Sequence, residues 1–380
     1  MPFSKTWLAR SLLLTISTVG ALLASEVLAR RIAPASVAGI QAAESWDANC
    51  IQAKAGPGYG WRPGQCGAND AGFLGTERPM AKDSDTYRVV LLGDSISGDG
   101  RTARWLEELL RAELNRTVEV LNFGVFGYNP TNELAVWQTQ AKHYEPDLVI
   151  QQFCVNDYNY TPVFFEQDGK LMSAANQNGQ LDGVPIGLYQ RSALIRWGLA
   201  LQEQRQVNPT FQVREPAIRH AIETLHAELQ AAGVPWVSVI YPYLADPDQW
   251  RDEDLQATQS FLALLTELQV PALDLGPAFQ ALGTEDLIIA NSETAMEKAK
   301  QGTLPGLSSA QRQLLLSSTE AYFPRVIEQN KEVDRIHPNA IGHFLAAWHL
   351  RSFLAPYLPQ PRPVQKVERH ERKTRTPADR

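Results

Sequence analysis

The chain has 380 residues, of which 44% are hydrophobic and 20% are charged, so it can bury a large core and has the composition of an ordinary globular protein. Its formal charge of −7 is uneven: residues 1–31 hold four basic and one acidic side chain, residues 359–380 hold seven basic and three acidic ones, and the body between them is therefore near −14. An acidic body argues against nucleic acid as a partner of the main domain.

The first 31 residues have the pattern of a targeting segment. Two basic residues precede an uncharged, mostly apolar run, Ser11–Ser25, and Glu26 follows it. Such a run is short for a membrane-spanning helix and typical of the apolar part of a secretory signal, with a small-residue site for cleavage after Ala29. The alternative is a short anchor, Leu12–Ala29, that is not cleaved. We predict export to a periplasmic or other extracytoplasmic compartment, and we favour the membrane anchor over the cleaved signal.

Residues 32–84 form an N-terminal extension without clear periodicity, and it contains two of the three cysteines. Cys50 and Cys66 bracket a loop rich in glycine and proline, and an exported protein could oxidise them to a disulfide. Two free loop cysteines are the alternative. Cys154 lies in an apolar run and has the character of a small core residue. No cysteine–histidine spacing suggests a metal site, and we expect no cofactor.

From residue 85 onwards, segments with strand and helix patterns alternate. The predicted strands are Arg88–Leu92, Val118–Asn122, Asp147–Phe153, Val237–Tyr241 and Ala272–Leu275. The predicted helices are Thr102–Asn115, Asn132–Tyr144, Leu188–Gln204, Pro216–Ala232, Asp252–Gln269 and His337–Leu358. This alternation predicts an α/β fold, a three-layer sandwich in which helices cover both faces of a mainly five-stranded parallel sheet. Ligands bind such sheets at the carboxyl ends of the strands.

Two long insertions interrupt the alternation, at residues 158–212 and 280–330, and insertions of this size are lids, partner surfaces or decoration. The aromatic residues of the first insertion fill a satellite core or line an acyl or sugar pocket: Tyr158, Tyr160, Phe164 and Phe165. The main domain is therefore expected to span residues 85–358, and the basic tail, residues 359–380, is expected to be disordered.

A serine stands at the end of the first predicted strand, in the sequence Gly93-Asp94-Ser95. A serine hydroxyl is a weak nucleophile unless a base takes its proton, so a histidine and a carboxylate that orients it are required. The sequence "VDRIHPNAIGH" supplies both, because Asp334 precedes His337 by three residues and a tight turn can bring the carboxylate to one ring nitrogen. Pro338 suits the first turn of a helix that begins there.

The oxyanion that forms on the attacked carbonyl needs hydrogen-bond donors. Gly124 and Gly127 follow the second predicted strand, and a backbone N–H can approach a substrate there without an intervening side chain. Asn156 follows the third strand and carries an amide that can donate. Since all of these loops lie at one edge of the predicted sheet, they can converge with Ser95 on a single site.

The ordered motifs G-D-S, N-x-G-x-x-G, N-D and D-x-x-H-P-N resemble those of the SGNH (GDSL-type) hydrolase family over roughly residues 85–358. The resemblance implies a flavodoxin-like sheet and hydrolysis of esters or thioesters through an acyl-serine. It also assigns roles: Ser95 is the nucleophile, His337 the general base and Asp334 its orienting partner. The implied oxyanion hole comprises the Ser95 N–H, the Gly127 N–H and the Asn156 side chain.

Three further points follow from the comparison of motifs. Gly127 rather than Gly124 matches the family glycine by its offset from Asn122. The stretch at residues 59–77 looks like the extension of an exported, often membrane-anchored branch of the family. Cys154 departs from the pattern, because it replaces the glycine of the family's Gly-x-Asn-Asp block, and this replacement could shift the approach of the amide donor.

Other polar residues near the motifs are expected to be structural. Asp94 and Asp157 should accept hydrogen bonds from loop backbone, and His343 should be a packed histidine of the last helix.

We therefore predict an exported serine esterase that acts on a small-molecule or polysaccharide ester, such as an O-acetylated polysaccharide of the cell envelope, or on a lipid ester. An O-acyltransferase with the same site and a different acceptor is the nearest alternative. A catalytically silent glycan-binding or scaffold protein is the alternative of another class. Neither nucleic acid nor a metal is expected as a partner.

Overall fold

The computed structural model of the chain describes residues 5–32, 40–43, 45–159, 161–174, 185–203, 210–318 and 334–361. The elements that precede the predicted main domain are α1 Lys5–Ile32, β1 Ile40–Ala42, α2 Ser45–Cys50, β2 Ile51–Lys54 and β3 Gly58–Trp61. Those that follow, up to the end of the first insertion, are β4 Tyr87–Leu92, α3 Arg101–Leu114, β5 Val118–Asn122, α4 Pro130–Thr139, β6 Leu148–Cys154, β7 Val163–Gln167, β8 Lys170–Ala174, α5 Ile186–Arg191 and α6 Ala193–Glu203. The remaining elements are α7 Thr210–Ala232, β9 Trp236–Tyr241, α8 Asp252–Glu267, β10 Ala272–Asp274, α9 Gly276–Leu282, α10 Ser292–Gln301, α11 Ser309–Ser318 and α12 Ala340–Phe353.

The central sheet has five parallel strands in the order β10-β9-β6-β4-β5. Numbered within the sheet alone, this is the order 2-1-3-4-5 of flavodoxin-like folds. Alternate residues of β4 enter two different hydrophobic clusters: Val89 and Leu91 face one, which includes Trp105 and Phe344, and Val90 faces the other. Helices thus cover both faces, and the predicted three-layer α/β sandwich is confirmed.

The fourth predicted helix begins earlier than its sequence pattern indicates. We expected Pro216 to open it, but α7 starts at Thr210 and holds this proline in its interior. Phe211 explains the difference, because its ring packs against Tyr158 at 4.8 Å and its N–H donates to Glu253 Oε1 at 2.8 Å. Tertiary contacts therefore extend the helix past a residue that normally ends one.

The last helix, in contrast, begins later than predicted. Pro338 does not lie in its first turn, because α12 starts at Ala340 and Asn339 is its N-cap. The Asn339 side chain accepts hydrogen bonds from the N–H groups of Ile341 and Gly342. Asparagine is among the strongest N-caps, and its position leaves His337 in the turn before the helix.

The N-terminal extension and the first insertion form additional structure that the sequence patterns did not indicate. β1, β8 and β7 make a three-stranded antiparallel sheet, so the two segments share one layer of strands. β2 and β3 form a hairpin, and a disulfide between Cys50 and Cys66 links residues on either side of it. Tyr59 and Trp61 of β3 belong to the same hydrophobic cluster as the central sheet.

The first insertion and the two ends of the chain differ in part from their sequence patterns. The helix predicted in the first insertion, Leu188–Gln204, is divided into α5 and α6 at Ser192. Three aromatic side chains of this insertion are buried, those of Tyr158, Phe164 and Phe165, whereas Tyr160 lies outside the described residues. Most of the predicted basic tail and residues 319–333 of the second insertion also lie outside them. Within α1, residues 10–32 are long and apolar enough to cross a membrane, with a mean hydropathy of 1.9.

Candidate active site

Ser95 lies in a tight turn that begins where β4 ends. The Asp94 carbonyl accepts from the Gly98 N–H at 2.8 Å, and the Asp94 carboxylate accepts from the Ile96 N–H at 2.8 Å. A Cβ at Gly93 would lie 2.5 Å from the amide oxygen of Gln152, so a side chain cannot be accommodated at this position. Hydrogen bonds between its own residues therefore hold the turn, and the space at Gly93 admits only a glycine.

A buried glutamine of β6 supports this turn from below. Gln152 Oε1 accepts from the backbone N–H of Asp94 at 3.2 Å, from that of Ser97 at 3.3 Å and from Ser97 Oγ at 2.9 Å. β6, the strand that pairs with β4, thus holds the nucleophile turn through one side chain. Sequence analysis missed this role, although two consecutive glutamines in a strand buried throughout are a visible signal.

His337 and Asp334 come from the turn before α12 and meet Ser95 across the carboxyl edge of the sheet. His337 Nε2 lies 2.6 Å from Ser95 Oγ, and His337 Nδ1 lies 2.6 Å from Asp334 Oδ2. The other carboxylate oxygen of Asp334 accepts from the N–H groups of Ile336 and of His337 itself. One carboxylate therefore shapes the turn and orients the ring at once.

A second set of bonds fixes this turn to the rest of the domain. Asn339 donates through Nδ2 to the carbonyls of Asp286 and Ile288, at 2.9 and 3.2 Å. Since the same side chain caps α12, the position of His337 depends on the second insertion as well as on the helix.

The electrostatic surroundings of His337 favour its protonated form. Burial lowers the pKa of the imidazole, but the hydrogen bond and charge of Asp334 and the charges of Asp94 and Asp99 outweigh it, and the net pKa is raised above 6.5. Burial raises the pKa of Asp334, but its bonds with His337 and Ile336 hold the net value below the ordinary range. An imidazolium formed by proton transfer from Ser95 would therefore be stabilised.

The loop that carries Gly127, a predicted oxyanion donor, is bound to the residue where the nucleophile turn begins, because the Val125 N–H donates to the Gly93 carbonyl at 3.3 Å. Gly127 has a φ of +69°, and a Cβ there would lie 2.9 Å from Pro162 Cδ and 3.0 Å from the Tyr59 hydroxyl, so glycine is required for both conformation and space. Among the described residues, neither the Ser95 N–H nor the Gly127 N–H has a hydrogen-bond acceptor. Both groups are free to bind a substrate oxygen.

Asn122 joins the nucleophile turn to the loop that carries Gly127. Its Nδ2 donates to the Ser97 carbonyl at 2.7 Å, and its Oδ1 accepts from the Gly124 N–H at 3.0 Å. The two loops therefore cannot move independently.

Asn156, the third predicted donor, is half-buried in the turn that follows β6, and Cys154 is the buried last residue of that strand. Burial raises the pKa of Asp94, although the hydrogen bond from the Ile96 N–H and the charge of His337 oppose this effect. The Asn156 side chain also lowers the pKa of Asp94, which places it near the nucleophile turn.

Buried carboxyl groups lie beneath the site. As expected of a structural residue, Asp157 accepts a backbone hydrogen bond, from the Cys154 N–H at 3.1 Å. Glu133 of α4 accepts from Gln151 Nε2 at 3.0 Å. Burial raises the pKa of Glu133 to about 8 and that of Asp157 well above its ordinary range, and the charge of Asp94 adds to both effects. Burial thus favours the protonated form of both carboxyl groups.

The packed histidine of α12 holds another carboxylate near the site. His343 Nδ1 lies 2.9 Å from Thr102 Oγ1, and His343 Nε2 lies 3.1 Å from Asp99 Oδ2. Asp99 also pairs with Arg101 and lines the cleft next to Ser95. Sequence analysis gave Asp99 no role.

The cleft at Ser95 has a volume of about 730 Å³, within the range of ligand sites. Its lining from the main domain is Ser95, Gly98, Asp99, Gly100, Arg104, Phe126 and His337. Its lining from the N-terminal extension is Trp61, Cys66, Gly67, Leu74, Gly75 and Thr76. The extension thus forms one wall of the cleft. In the described part of the chain, no cluster of side chains has the makeup of a metal site.

A doubly wound α/β sheet that presents a serine, a histidine and an aspartate in hydrogen-bonded series at its carboxyl edge is the arrangement of a serine hydrolase. The model of the GDSL-like Lipase/Acylhydrolase family matches residues 91–345. The chain belongs to this family, and it is a serine hydrolase of the SGNH type that acts on ester bonds.

Several solved structures are similar to the chain. An acetylxylan esterase from Geobacillus stearothermophilus is 16% identical, with 72% of this chain and 96% of that chain covered and a TM-score of 0.39. A lipase/acylhydrolase from Enterococcus faecalis is 15% identical, with 73% and 99% covered and a TM-score of 0.41. No curated protein matches the chain.

Proposed function

We propose that the chain hydrolyses esters through an acyl-serine intermediate formed on Ser95. His337 takes the proton of the hydroxyl as Ser95 Oγ attacks the ester carbonyl, and then gives that proton to the leaving alcohol as the C–O bond breaks. Water, deprotonated by His337, attacks the acyl-serine and releases the acid and the free serine. Asp334 holds the ring and balances its positive charge.

The carrying observation is the unbroken series from Asp334 through His337 to Ser95, with both hydrogen bonds at 2.6 Å. We assign the oxyanion to the N–H groups of Ser95 and Gly127 and to the side chain of Asn156. Two backbone donors support this assignment, since they have no acceptor within the described part of the chain and preorganised donors stabilise developing charge without reorganisation.

We propose that the substrate is an acetyl ester of a polysaccharide of the cell envelope. A cleft of about 730 Å³ is much larger than an acetyl group requires, so the alcohol part of the substrate must fill most of it. Trp61 and Phe126 supply aromatic surface, and Asp99 and Arg104 supply polar groups, which is the combination that sugar rings with their hydroxyls need. A lipid ester remains an outcome of the substrate test.

We also propose that α1 is retained as a membrane anchor. Glu26 accepts hydrogen bonds from the Ser192 hydroxyl and from the N–H groups of Ala193 and Leu194, at 2.7 to 3.1 Å. It thereby satisfies free N–H groups at the start of α6, and cleavage after Ala29 would remove it. The opposite face of α1 exposes apolar side chains, among them Leu28 at 54%.

Labelling with a fluorophosphonate probe tests the nucleophile. We expect the wild type and Ser352→Ala, a change at an exposed serine of α12, to be labelled equally, and Ser95→Ala to lose both labelling and at least about 10⁴-fold in esterase rate. Equal labelling of Ser95→Ala, or no labelling of the wild type, would refute the proposal.

The substrate is tested with acetylated polysaccharides beside nitrophenyl esters of increasing chain length. Release of free acetate from the polysaccharide, with rates that fall as the acyl chain lengthens, is the expected result. A preference for long acyl chains would indicate a lipid ester, and acetyl transfer to an added sugar without release of acetate would indicate an acyltransferase. Either result would overturn the proposed substrate.

A further inference from the structure

The loop that carries the Gly127 N–H is held from outside the main domain. We call residues 124–127 the oxyanion loop. The Tyr59 hydroxyl donates to the Phe126 carbonyl at 2.7 Å, and Trp61 Nε1 donates to the Gly124 carbonyl at 3.0 Å. Both donors belong to β3, in the N-terminal extension, so two of the loop's carbonyls are fixed by a segment that precedes Ser95 in the chain.

The first of these bonds determines where a neighbouring N–H points. A trans peptide group is planar, and its C=O and N–H point in opposite directions. The Phe126 carbonyl and the Gly127 N–H belong to the same peptide group, and the described chain contains no cis peptide bond. While Tyr59 holds the carbonyl on its own side, the Gly127 N–H must point away from Tyr59.

The bond from the Tyr59 hydroxyl opposes rotation of the Phe126–Gly127 peptide group. Glycine occupies positive and negative φ almost equally well, so rotation next to Gly127 costs little. A rotated group would present the Phe126 carbonyl where its N–H had been, and an oxygen there repels an oxyanion instead of binding it. The Tyr59 hydroxyl therefore stabilises the orientation that suits catalysis.

Tyr59 is itself rigidly held. It is 1% exposed, and the rings of Tyr128 and Phe164 pack edgewise on it with centroids 5.1 and 5.0 Å away. The Tyr128 hydroxyl donates to the Tyr59 carbonyl. β3 pairs with β2, and the Cys50–Cys66 disulfide closes the base of this hairpin. A rigid donor is what a fixed peptide orientation requires.

We propose that Tyr59 is a positioning residue of the active site: its hydroxyl aims the Gly127 N–H at the oxyanion, so the N-terminal extension takes part in catalysis. The inference rests on the proposed function, since it presupposes that Gly127 donates to an oxyanion formed on attack by Ser95.

The test compares Tyr59→Phe with Tyr87→Phe. The Tyr87 hydroxyl also donates to a backbone carbonyl, that of Tyr357 at 2.8 Å, but it lies at the opposite end of β4 from Ser95. Both changes thus remove a hydroxyl that donates to a backbone carbonyl. We expect Tyr59→Phe to lower kcat for nitrophenyl acetate by about tenfold or more, with KM changed by less than twofold, because losing a whole oxyanion donor costs about 10²–10³. Tyr87→Phe should keep the wild-type kcat.

Two further measurements separate a positioning role from a structural one. The rate of fluorophosphonate labelling, normalised to the number of sites labelled at completion, should fall together with kcat in Tyr59→Phe. The loss of thermal stability should be similar in both variants. If Tyr59→Phe gives no folded protein, Trp61→Phe removes the other bond to the loop, and its labelling rate per reactive site should also fall.

The outcomes are distinguishable. An inactive, unlabelled wild type would refute the proposed function. An active wild type with Tyr59→Phe matching Tyr87→Phe in kcat and in labelling rate would refute the positioning role alone. Wild-type labelling rates in Trp61→Phe, where it is the variant used, would refute a catalytic role for the bonds between β3 and the oxyanion loop.

Discussion

At the scale of single residues, the charge on the imidazole of His337 governs the site. Burial opposes this charge, and the carboxylates of Asp334, Asp94 and Asp99 favour it more strongly, so the pKa is raised. A base must be neutral to accept a proton, and the rate should therefore fall as the pH drops through this raised pKa. The carboxylates thus stabilise the imidazolium during turnover, and because they raise its pKa they also lower the activity at low pH.

Replacing Asp334 should show both effects. Wild-type kcat/KM should decline with falling pH through a pKa above 6.5, and in Asp334→Asn this decline should move to lower pH because the largest favourable partner is gone. The maximal rate should also fall, by about 10⁴-fold, since an asparagine favours the wrong tautomer of the ring. Rate profiles between pH 5 and 9 measure both quantities, and an acid limb that stays in place would contradict the assignment.

A milder change serves as the comparison. Asp99 touches neither His337 nor Ser95 by hydrogen bond, so Asp99→Asn should move the acid limb in the same direction by less and keep most of the maximal rate.

The motifs indicated the residues of the hydrogen-bonded series, but not those that hold it. The motifs with Ser95, Asp334 and His337 rarely occur together by chance. The chemical role of each position also restricts which amino acid can occupy it. Gln152 and Tyr59, in contrast, act on backbone groups 55 and 67 positions away, and glutamine and tyrosine occur everywhere in proteins. A polar residue in a buried strand can be noticed in a sequence, but only the fold shows which backbone groups it binds, so a single sequence cannot assign these roles.

At the scale of elements, local signals predicted the five strands well, because each is a short apolar run and the three inner strands, β4, β6 and β9, are buried along their whole length. They failed where distant contacts decide. α7 begins before Pro216 because Phe211 contacts Tyr158 and Glu253. α12 begins only after its N-cap, Asn339. The sheet of β1, β8 and β7 joins segments that are 130 positions apart, and no periodicity reports such pairing.

The contacts between α1 and α6 predict that the N-terminal segment is retained in the mature protein. If α1 is an anchor, the membrane fraction should contain protein whose N-terminal peptides still include Glu26, which mass spectrometry detects. Glu26→Gln should weaken the cap and increase proteolysis within residues 185–203, whereas Glu166→Gln, an exposed change in the same insertion, should not. A mature chain that begins at Arg30 would exclude the anchor.

At the scale of the whole molecule, the buried carboxyl groups couple stability to pH. A group whose pKa is higher in the folded state contributes stability that is complete below its unfolded pKa and is lost as the pH rises to its folded pKa. For Glu133 this window runs from about 4.5 to about 8. The free energy of unfolding should therefore decrease from pH 5 to pH 8.

Glu133→Gln should make this decrease shallower, because a side chain that cannot ionise no longer carries a charge into the core. Each unit of pKa difference corresponds to about 1.4 kcal/mol, so the change in slope is within reach of chemical denaturation at several pH values. Glu166→Gln, at an exposed position, is the control and should keep the wild-type slope. An unchanged slope in Glu133→Gln would show that this carboxyl group does not titrate in the folded state.

The separation of Ser95 from His337 along the chain has a consequence for biosynthesis. The two residues are 242 positions apart, and a ribosome that adds about 5–20 residues per second needs about 10–50 s to pass from one to the other. During this interval the nascent chain contains Ser95 without its base, because the segment with Asp334, His337 and α12 has not been made. A chain that stops before residue 337 keeps the serine as an ordinary alcohol, and esterase activity requires that synthesis has passed the segment with His337.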